Sequence, residues 1–272
     1  MPSNSFEQRL TDFPDVAFGG DAAFGHRAAW AAHFRSRIGP AFDGRVILEV
    51  GSADATFLAE VAARHPTAGF VGLDWKFKQV HDGAARVSAA GLRNVALLRG
   101  RAGDLPRIFA PGEVDEVWVF HPEPCAEPKQ RANRLVAEPF LLAVHPLLRG
   151  PGSVVAVKTD HAGYFQWVLG VIGADEPPAF RSAREAAAAE LPLPDGAPRV
   201  RARDLLAADD VPVPSPAARE RFEVAAASPD FWGDAAVLRH TAGRCFTESQ
   251  TPFERRFVAK RRPIYYVELR RK

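Results

Sequence analysis

Hydrophobic and polar positions along the chain fall into alternating blocks, which predict alternating strands and helices. Val46–Val50 is a short apolar run rich in β-branched residues, typical of a buried parallel strand. Thr56–Arg64 then places apolar side chains at helical spacing, and Pro66 ends the predicted helix. Residues 70–73 form a second apolar run, and Asp74 follows at its carboxyl end. A strand, a helix and a second strand in this order predict half of a nucleotide-binding fold.

The same alternation continues along the chain and predicts an α/β fold. Further strands are predicted over residues 94–98, 114–120, 153–157 and 222–227. Residues 263–269 alternate apolar and polar positions, which predicts a final strand that pairs antiparallel at the sheet edge. Residues 22–38 have an amphipathic pattern that predicts one helix covering the edge of the sheet. We therefore expect a Rossmann-like, doubly wound, mostly parallel sheet with an antiparallel edge strand.

Two stretches depart from this pattern. Residues 1–20 show no sustained period, which predicts a loosely docked N-terminal arm. Residues 174–219 are rich in proline and alanine and predict an insertion, with short helices at 182–191 and 199–207. A long insertion of this kind forms a lid, a wall of the substrate site or a disordered surface excursion. We predict that both stretches belong to a single domain spanning residues 1–272.

Composition limits the class of protein. The 272 residues are 47% hydrophobic and 25% charged, which suits a soluble globular chain. The net charge of +2 is nearly neutral, so binding to nucleic acid must rest on a local basic patch. Cys125 and Cys245 cannot form a disulfide framework or a zinc site without other ligands, and no apolar segment at the start marks secretion or a membrane span. We expect a cytoplasmic protein that binds neither a membrane nor a metal.

The turn after the first predicted strand contains small residues that let a ligand approach the backbone. A dinucleotide fingerprint has three glycines, whereas this turn has Gly51 followed by Ala53 and Ala55 at the other two places. That weakens the prediction of NAD and favours S-adenosylmethionine, which carries no phosphate. Asp74 can accept hydrogen bonds from the ribose hydroxyls of either ligand. The alternative is an α/β domain without a ligand, in which Glu49 and Asp74 are solvated strand ends.

Further cofactor candidates lie where other predicted strands end. An acidic residue after the third strand is where many methyltransferases hold the adenine amino group, so Asp104 is a candidate. Alternatively, Asp104 is the N-cap of a short helix predicted over residues 105–109, and both roles are compatible. The residues predicted to bind the cofactor are Glu49, Gly51, Ala53, Asp74, Trp75, Arg101, Ala102, Asp104 and His121.

The fourth predicted strand leads directly into a segment with two prolines around one carboxylate. Pro122 and Pro124 restrict the backbone on both sides of Glu123, so the carboxylate is expected to point out of the carboxyl end of the strand. In a doubly wound sheet that end adjoins the cofactor crevice. A methyl acceptor must bind there, which makes Glu123 a candidate catalytic residue.

Five short motifs, in the same order, resemble those of the bacterial tRNA (guanine-N7)-methyltransferase family, the TrmB type. They are Pro122-Glu123-Pro124-Cys125, Arg134-Leu135-Val136, Pro139-Phe140-Leu141, Thr159-Asp160 and Thr251-Pro252-Phe253-Glu254. The similarity covers residues 46–169 and 221–269. It implies a class I methyltransferase that uses S-adenosylmethionine to methylate N7 of a guanine in tRNA.

The resemblance also implies roles for individual residues. Glu123 and Asp160 would be catalytic. Together with Glu254, and with Thr251 as a helper, they would accept hydrogen bonds from the guanine N1 and N2 groups and stabilise the positive charge of the product ring. N7 carries no proton to remove, so the main task is to align it with the methyl group. The implied substrate-binding residues are Lys129, Arg131, Arg134, Asp160, Thr251 and Glu254.

Departures from the family pattern leave other functions open. Glu123 replaces an aspartate, Cys125 replaces a tryptophan, and residues 126–128 replace part of a lysine-rich run. One alternative is therefore an enzyme of the same fold acting on a free heterocyclic small molecule, and another is a non-catalytic RNA-binding relative. Residues 251–272 hold eight basic and two acidic residues, which predicts either an RNA contact or a solvated edge strand protected by charge.

Overall fold

The central feature of the fold is a mixed sheet in the part of the chain that the structure describes. A computed structural model describes residues 9–176, 205–206 and 210–272. Its strands are β1 (Ala17–Gly19), β2 (Val46–Val50), β3 (Gly69–Asp74), β4 (Val95–Arg99), β5 (Glu116–Phe120), β6 (Val154–Thr159), β7 (Phe222–Ser228) and β8 (Tyr265–Arg271). They lie in the order β1-β4-β3-β2-β5-β6-β8-β7, with β1 to β6 parallel and β8 antiparallel to both its neighbours. The predicted doubly wound, mostly parallel sheet is confirmed.

Helices cover both faces of the sheet. They are α1 (Asp21–Phe24), α2 (Trp30–Ile38), α3 (Thr56–Arg64), α4 (Phe77–Ala89), α5 (Leu105–Ile108), α6 (Glu138–Val144), α7 (Ala162–Ile172), α8 (Pro216–Arg221), α9 (Ala235–His240) and α10 (Pro252–Ala259). Successive side chains along each strand point to opposite faces of the sheet and belong to two separate cores. Leu48 lies in the core formed with α2, α5, α6 and α7, whereas Ile47 lies in the core formed with α3 and α4. Glu49 shares the second face with Ile47, and Lys158 shares it with Ala156.

The order of the strands determines where a ligand can bind. The chain winds from β2 outward to β3 and β4, then returns across the sheet to β5 and β6 on the other side of β2. Ligands of such sheets bind outside the carboxyl ends of the strands, at this switch point. We call this side of the sheet the carboxyl edge. Because β8 is antiparallel, its first residue, Tyr265, lies at the carboxyl edge opposite Thr159.

The helix predicted over residues 22–38 is two helices, because the backbone between α1 and α2 turns at Ala28 (φ 66°). Glu113 compensates for the break, since its carboxylate accepts hydrogen bonds from Ala28 N and Trp30 N, both at 3.0 Å. The turn brings Phe34 against the sheet at Gly69, where any β-carbon would collide with the phenylalanine ring. The second helix, α2, therefore packs on a face of the sheet, and the prediction that it covers the edge was wrong.

Both ends of the sheet differ in detail from the prediction. Within the segment predicted as an N-terminal arm, β1 joins the sheet parallel to β4. The final strand, β8, is antiparallel as predicted. The prediction that it forms the edge of the sheet was wrong, because β7 pairs with β8 and is itself the edge strand. Of the predicted insertion at 174–219, residues 177–204 and 207–209 lie outside the described residues, and so do nearly all of its two predicted helices.

Candidate functional site

The carboxyl ends of β2, β3 and β4 enclose an open cleft of about 510 Å³, a size typical of small-molecule sites. We call it the cofactor cleft. Its walls are Val50, Gly51, Leu73, Asp74, Trp75, Gly100, Arg101, Ala102, Gly103, Asn133 and Leu135. Five predicted cofactor residues, Gly51, Asp74, Trp75, Arg101 and Ala102, therefore line one cleft. The other four, Glu49, Ala53, Asp104 and His121, lie outside this lining.

The turn after β2 is held in a left-handed backbone conformation by Asp74. Gly51 has φ 88°, and Ala53 and Ala55 have φ 48° and 54°, a region that costs an alanine about 1 kcal/mol or more. Ala53 N donates to Asp74 Oδ2 at 3.2 Å, and Lys76 N donates to Asp74 Oδ1 at 2.8 Å. Asp74 thus ties the turn to the end of β3, and each of its oxygens retains a lone pair for a ligand.

The opposite wall of the cofactor cleft presents an exposed aromatic ring beside cations. The Trp75 side chain is 54% exposed, with Lys76 Nζ 5.4 Å and the Arg101 guanidinium 5.9 Å from its ring centroid. Asp104 Oδ2 accepts a hydrogen bond from Arg101 N at 2.9 Å and so holds this wall. Asp104 occupies the N-cap position of α5, as predicted, but its side chain makes no cap hydrogen bond to that helix.

Glu49 is a buried acid at the end of β2. Only 5% of the residue is exposed, and Oε2 has no hydrogen-bond partner among the described residues. Burial, followed by the nearby carboxylates of Glu254 and Asp74, raises the pKa of Glu49 to about 8. Glu49 is therefore mostly neutral at pH 7 and carries a proton. The alternative in which it is a solvated strand end is contradicted by this burial.

Lys158 and Glu254 form an ion pair, with both side chains 0% exposed and Nζ 3.0 Å from Oε1. We call them the buried pair. Burial lowers the pKa of Lys158. Burial would raise the pKa of Glu254, but Lys158 and His121 hold it below its ordinary value. Trp232 Nε1 also donates to Glu254 Oε1 at 3.1 Å. Four aromatic rings lie 4.1–5.0 Å from the Lys158 ammonium: Phe120, Phe231, Trp232 and Phe246.

Residues 251–254, predicted to be a loop, are the N-cap and first turn of α10. Thr251 Oγ1 accepts from Glu254 N at 3.1 Å, and Glu254 Oε2 accepts from Thr251 N at 2.6 Å, which is a capping box. The loop prediction was wrong, because the spacing Thr-x-x-Glu is that of a capping box, which starts a helix here. Thr251 and Glu254, predicted to bind substrate, are both buried and support the start of α10.

Three side chains meet above the buried pair, and we call His121, Asp160 and Phe253 the acceptor wall. His121 follows β5 with φ 51°, and its backbone N donates to Lys158 O at 2.7 Å. His121 Nδ1 lies 3.5 Å from Asp160 Oδ1, and its ring stacks on Phe253 with centroids 5.8 Å apart. Burial would raise the pKa of Asp160, but His121 holds it below its ordinary value. Asp160 is therefore ionised at neutral pH.

Glu123 lies on an anchored loop between β5 and residue 128, with its side chain exposed. Arg134 holds this loop, donating from Nε to Pro124 O and from Nη2 to Cys125 O, both at 3.2 Å. The Arg134 guanidinium also lies over Trp167, 4.6 Å from its centroid, and the residue is only 4% exposed. Arg134 was predicted to contact substrate; in the structure its guanidinium is committed to the loop that carries Glu123.

The remaining basic residues divide between two ends of the molecule. Lys129 is exposed beside Glu127, and Arg131 pairs with Asp210. Five exposed residues precede β8 near the carboxyl edge, and we call them the α10 basic group: Arg255, Arg256, Lys260, Arg261 and Arg262. At the opposite edge, Arg270 pairs with Glu223, while Arg271 and Lys272 donate to backbone carbonyls of Leu148 and Arg219. The antiparallel direction of β8 therefore splits the patch predicted for residues 251–272.

A family model described as "Putative methyltransferase" matches residues 43–193, which is more than half of the chain. The chain belongs to this methyltransferase family. It is 35% identical over 122 residues to the tRNA (guanine-N(7)-)-methyltransferase of Bdellovibrio bacteriovorus, covering 45% of this chain and 58% of that protein. It is 28% identical over 152 residues to the protein of the same name from Christiangramia forsetii, covering 56% and 65%. The resemblance predicted from the motifs is confirmed.

Solved structures show how widely the fold of this methyltransferase family is shared. The antibiotic-resistance methyltransferase Kmr superposes with a TM-score of 0.50 at 18% identity, and the 16S rRNA methyltransferase KamB with 0.50 at 20%. Each comparison covers 89% of this chain and 92% of the other. At this identity the likeness concerns the fold alone. By contrast, the chain spans less than two thirds of the length of the two curated relatives above.

Within the described ranges, this methyltransferase chain shows no helix long and apolar enough to cross a bilayer. The same ranges contain no group of three or more His, Cys, Asp or Glu side chains placed to hold a metal ion.

Lys158, Trp232 and Phe253 belong to this site but are not among the site residues predicted from the sequence. A signal was present for Lys158, because it directly follows the apolar run predicted as a strand over residues 153–157, and a lysine buried at the end of such a strand requires a buried counter-charge. Glu49 gives the same signal in β2. Phe253 stands in the motif at residues 251–254, but the motif alone predicted no role for its ring, which depends on a contact with the distant His121. Trp232 lies outside the motifs, and its role depends on the contact with Glu254.

Proposed function

We propose that this chain transfers a methyl group from S-adenosylmethionine to N7 of a guanine in tRNA. The observation that carries the proposal is the juxtaposition, at one carboxyl edge, of the cofactor cleft with the Glu123 loop and the acceptor wall. Membership of a methyltransferase family and similarity to proteins named tRNA (guanine-N(7)-)-methyltransferases support the choice of reaction and of substrate. A tRNA substrate also supports the expected cytoplasmic location.

The residues of the cofactor cleft fit S-adenosylmethionine. The left-handed turn at Gly51 and Ala53 leaves open space at the backbone, because nothing lies within 4 Å of a β-carbon built on Gly51. Asp74 has lone pairs for ribose hydroxyls, and Trp75 offers an exposed ring face for adenine. Glu49, neutral beside the turn, can donate as well as accept. When bound, the cofactor supplies a methyl group on a positively charged sulfur.

On the acceptor side, the chain needs to orient a base and stabilise charge. Guanine N7 already has a free lone pair, so no general base is required. Methylation leaves the purine positively charged, and the carboxylates of Glu123 and Asp160 at this edge stabilise that charge. The α10 basic group lies beside the acceptor wall, where it can neutralise tRNA phosphates.

A methyl-transfer assay tests this proposal. The protein is incubated with labelled S-adenosylmethionine and either tRNA that lacks 7-methylguanosine or free guanosine and adenosine. We expect label in the tRNA, and 7-methylguanosine as the modified nucleoside after digestion and mass spectrometry. Label only in the free nucleosides would replace tRNA with a small heterocyclic substrate. Absence of heat on titration with S-adenosylmethionine, together with retained tRNA binding, would point to a non-catalytic RNA-binding protein.

A further inference from the structure

An exposed aromatic side chain stands at the mouth of the acceptor site. Among the residues that the structure describes, four large apolar side chains are exposed: those of Trp75, Val211, Val213 and Phe253. Trp75 belongs to the cofactor cleft, and the two valines lie within the segment predicted as an insertion, residues 174–219. Phe253 is 54% exposed, although it adjoins Glu254, which is completely buried. An exposed ring at this place is available for stacking with a base.

The backbone of Phe253 is unusually well fixed for an exposed residue. It is the second residue of α10, after Pro252, and the capping box between Thr251 and Glu254 encloses it. Glu254 is in turn held by the buried Lys158, an ion pair that no water reaches. A residue anchored on both sides in this way presents its side chain in one place, which lowers the entropic cost of binding a ligand.

The surroundings of Phe253 suit a purine. Its ring stacks on His121 with an angle of 27° between the planes, and His121 contacts the ionised Asp160. The His121 side chain is 5% exposed, and its Nε2 is buried with no hydrogen-bond partner in the described ranges. Because that nitrogen is buried, the groups left for a base are the exposed ring of Phe253 and the partly exposed carboxylate of Asp160. A base has a π-face for the first and polar edge groups for the second.

We propose that Phe253 is the platform on which the acceptor purine stacks, a role that rests on the proposed function and specifies its substrate site. Methylation at N7 makes the purine a cation, and the negative face of a phenylalanine ring attracts a cation more strongly than a neutral base. Phe253 therefore stabilises the methylated state more than the substrate, and its removal lowers turnover as well as binding. The buried pair acts through Phe253 as a positioning element.

Three substitutions test the platform in the full chain: Phe253→Ala, Phe253→Leu and Phe253→Trp. We expect kcat/KM for tRNA to fall about five- to a hundredfold in the alanine variant, the range produced by losing one base–aromatic stack. The tryptophan variant should retain activity, and the leucine variant should not, because leucine is apolar but has no π-face. Affinity for S-adenosylmethionine by calorimetry should be unchanged in all three. Activity of the alanine variant equal to wild type, or equal rescue by leucine and tryptophan, would overturn the proposal.

A binding experiment separates this proposal from the proposed function. Phe253→Trp is titrated with 7-methylguanosine 5′-monophosphate and with guanosine 5′-monophosphate in the presence of S-adenosylhomocysteine. We expect more fluorescence quenching than in the wild type, whose own tryptophans include Trp75 and Trp232, and tighter binding of the methylated, cationic nucleotide. If wild type methylates tRNA but the variant shows no added quenching, the stacking role fails alone. If wild type transfers no methyl group to tRNA but the quenching occurs, the proposed function fails and the base platform stands.

Discussion

The cofactor cleft and the buried pair lie at the same carboxyl edge but satisfy their polar groups in opposite ways. Asp74 is partly exposed and bonded to two backbone N–H groups, so it can exchange partners with water or a ligand. Lys158 and Glu254 are sealed from water and depend on each other. Loss of a group in an open cleft costs ligand binding, whereas loss of a buried charge partner costs folding. One side of the site is therefore adaptable, and the other is rigid.

The largest expected effect follows from breaking the rigid side. Lys158→Met keeps the length of the side chain but leaves Glu254 buried without its counter-charge. We expect the free energy of unfolding to fall by about 3–5 kcal/mol, measured by urea denaturation with fluorescence detection.

The double variant Lys158→Met, Glu254→Gln is the matched control. It removes both charges while keeping a polar side chain that can accept from Trp232, so it should be more stable than Lys158→Met alone. A double variant less stable than either single variant would show that the pair is not coupled, and the contrast between the two regions would be lost.

The second effect concerns Glu123, whose exposed side chain should act on chemistry rather than folding. Glu123→Gln preserves shape but removes the charge, so turnover should fall by about two to three orders of magnitude. Calorimetric affinity for S-adenosylmethionine and the melting temperature should stay near wild type. Glu127→Gln, four residues along the same segment, is the control, since Glu127 pairs with Lys129 in solvent. If Glu123→Gln lost cofactor binding and activity together, Glu123 would be a structural residue.

The difference between the two regions also explains what the sequence could predict. Gly51, Asp74 and Asp104 lie next to predicted strand ends, so strand order alone brings them to one edge. The buried pair joins β6 to α10, and its aromatic surroundings come from β5, the Phe231-Trp232 segment and residues 245–248. The buried lysine indicates that a counter-charge exists, but no local pattern shows which residues of other segments surround it. Arg134 shows the reverse case. Its position in a basic run, beside motifs of a tRNA-modifying family, predicts a contact with an RNA phosphate, but in the structure it is buried against Trp167 and has a structural role.

The third effect tests the adaptable side. Asp74→Ala removes an acceptor expected to bond the ribose hydroxyls, so affinity for S-adenosylmethionine should fall about ten- to a hundredfold by calorimetry. The protein should remain folded, with a smaller loss of stability than Lys158→Met. Asp54→Ala is the control within the same turn, because Asp54 pairs with Arg86 on α4 and does not line the cleft. Equal losses of affinity in the two variants would contradict a specific contact at Asp74.

A smaller effect lies where the two regions meet, at Glu49. Unfolded Glu49 loses its proton near its ordinary pKa of 4.5, whereas the folded carboxyl keeps it up to a pKa of about 8. The folded state therefore binds more protons between these values, and the contribution of Glu49 to stability falls as pH rises through this window. Glu49→Gln mimics the neutral acid, so it should be similar in stability to wild type at pH 4.5 and increasingly more stable than wild type as the pH rises to 8. Glu220→Gln, on an exposed helix position, should show no such pH dependence, and parallel pH profiles for wild type and Glu49→Gln would contradict a buried proton.

The smallest effect concerns the exposed α10 basic group, which adjoins the rigid side but is itself solvated. Each arginine that neutralises a tRNA phosphate releases counterions, so Arg256→Ala should reduce the salt dependence of tRNA binding by about one unit of log K against log salt. Arg270→Ala is the matched control, because Arg270 pairs with Glu223 at the opposite edge of the sheet. Filter binding across a salt series measures both slopes. If the slope is reduced in Arg256→Ala alone, the basic residues before β8 contact RNA and those at its end, on the opposite edge of the sheet, do not. Equal slopes in the two variants would show that α10 is not part of the tRNA-binding surface.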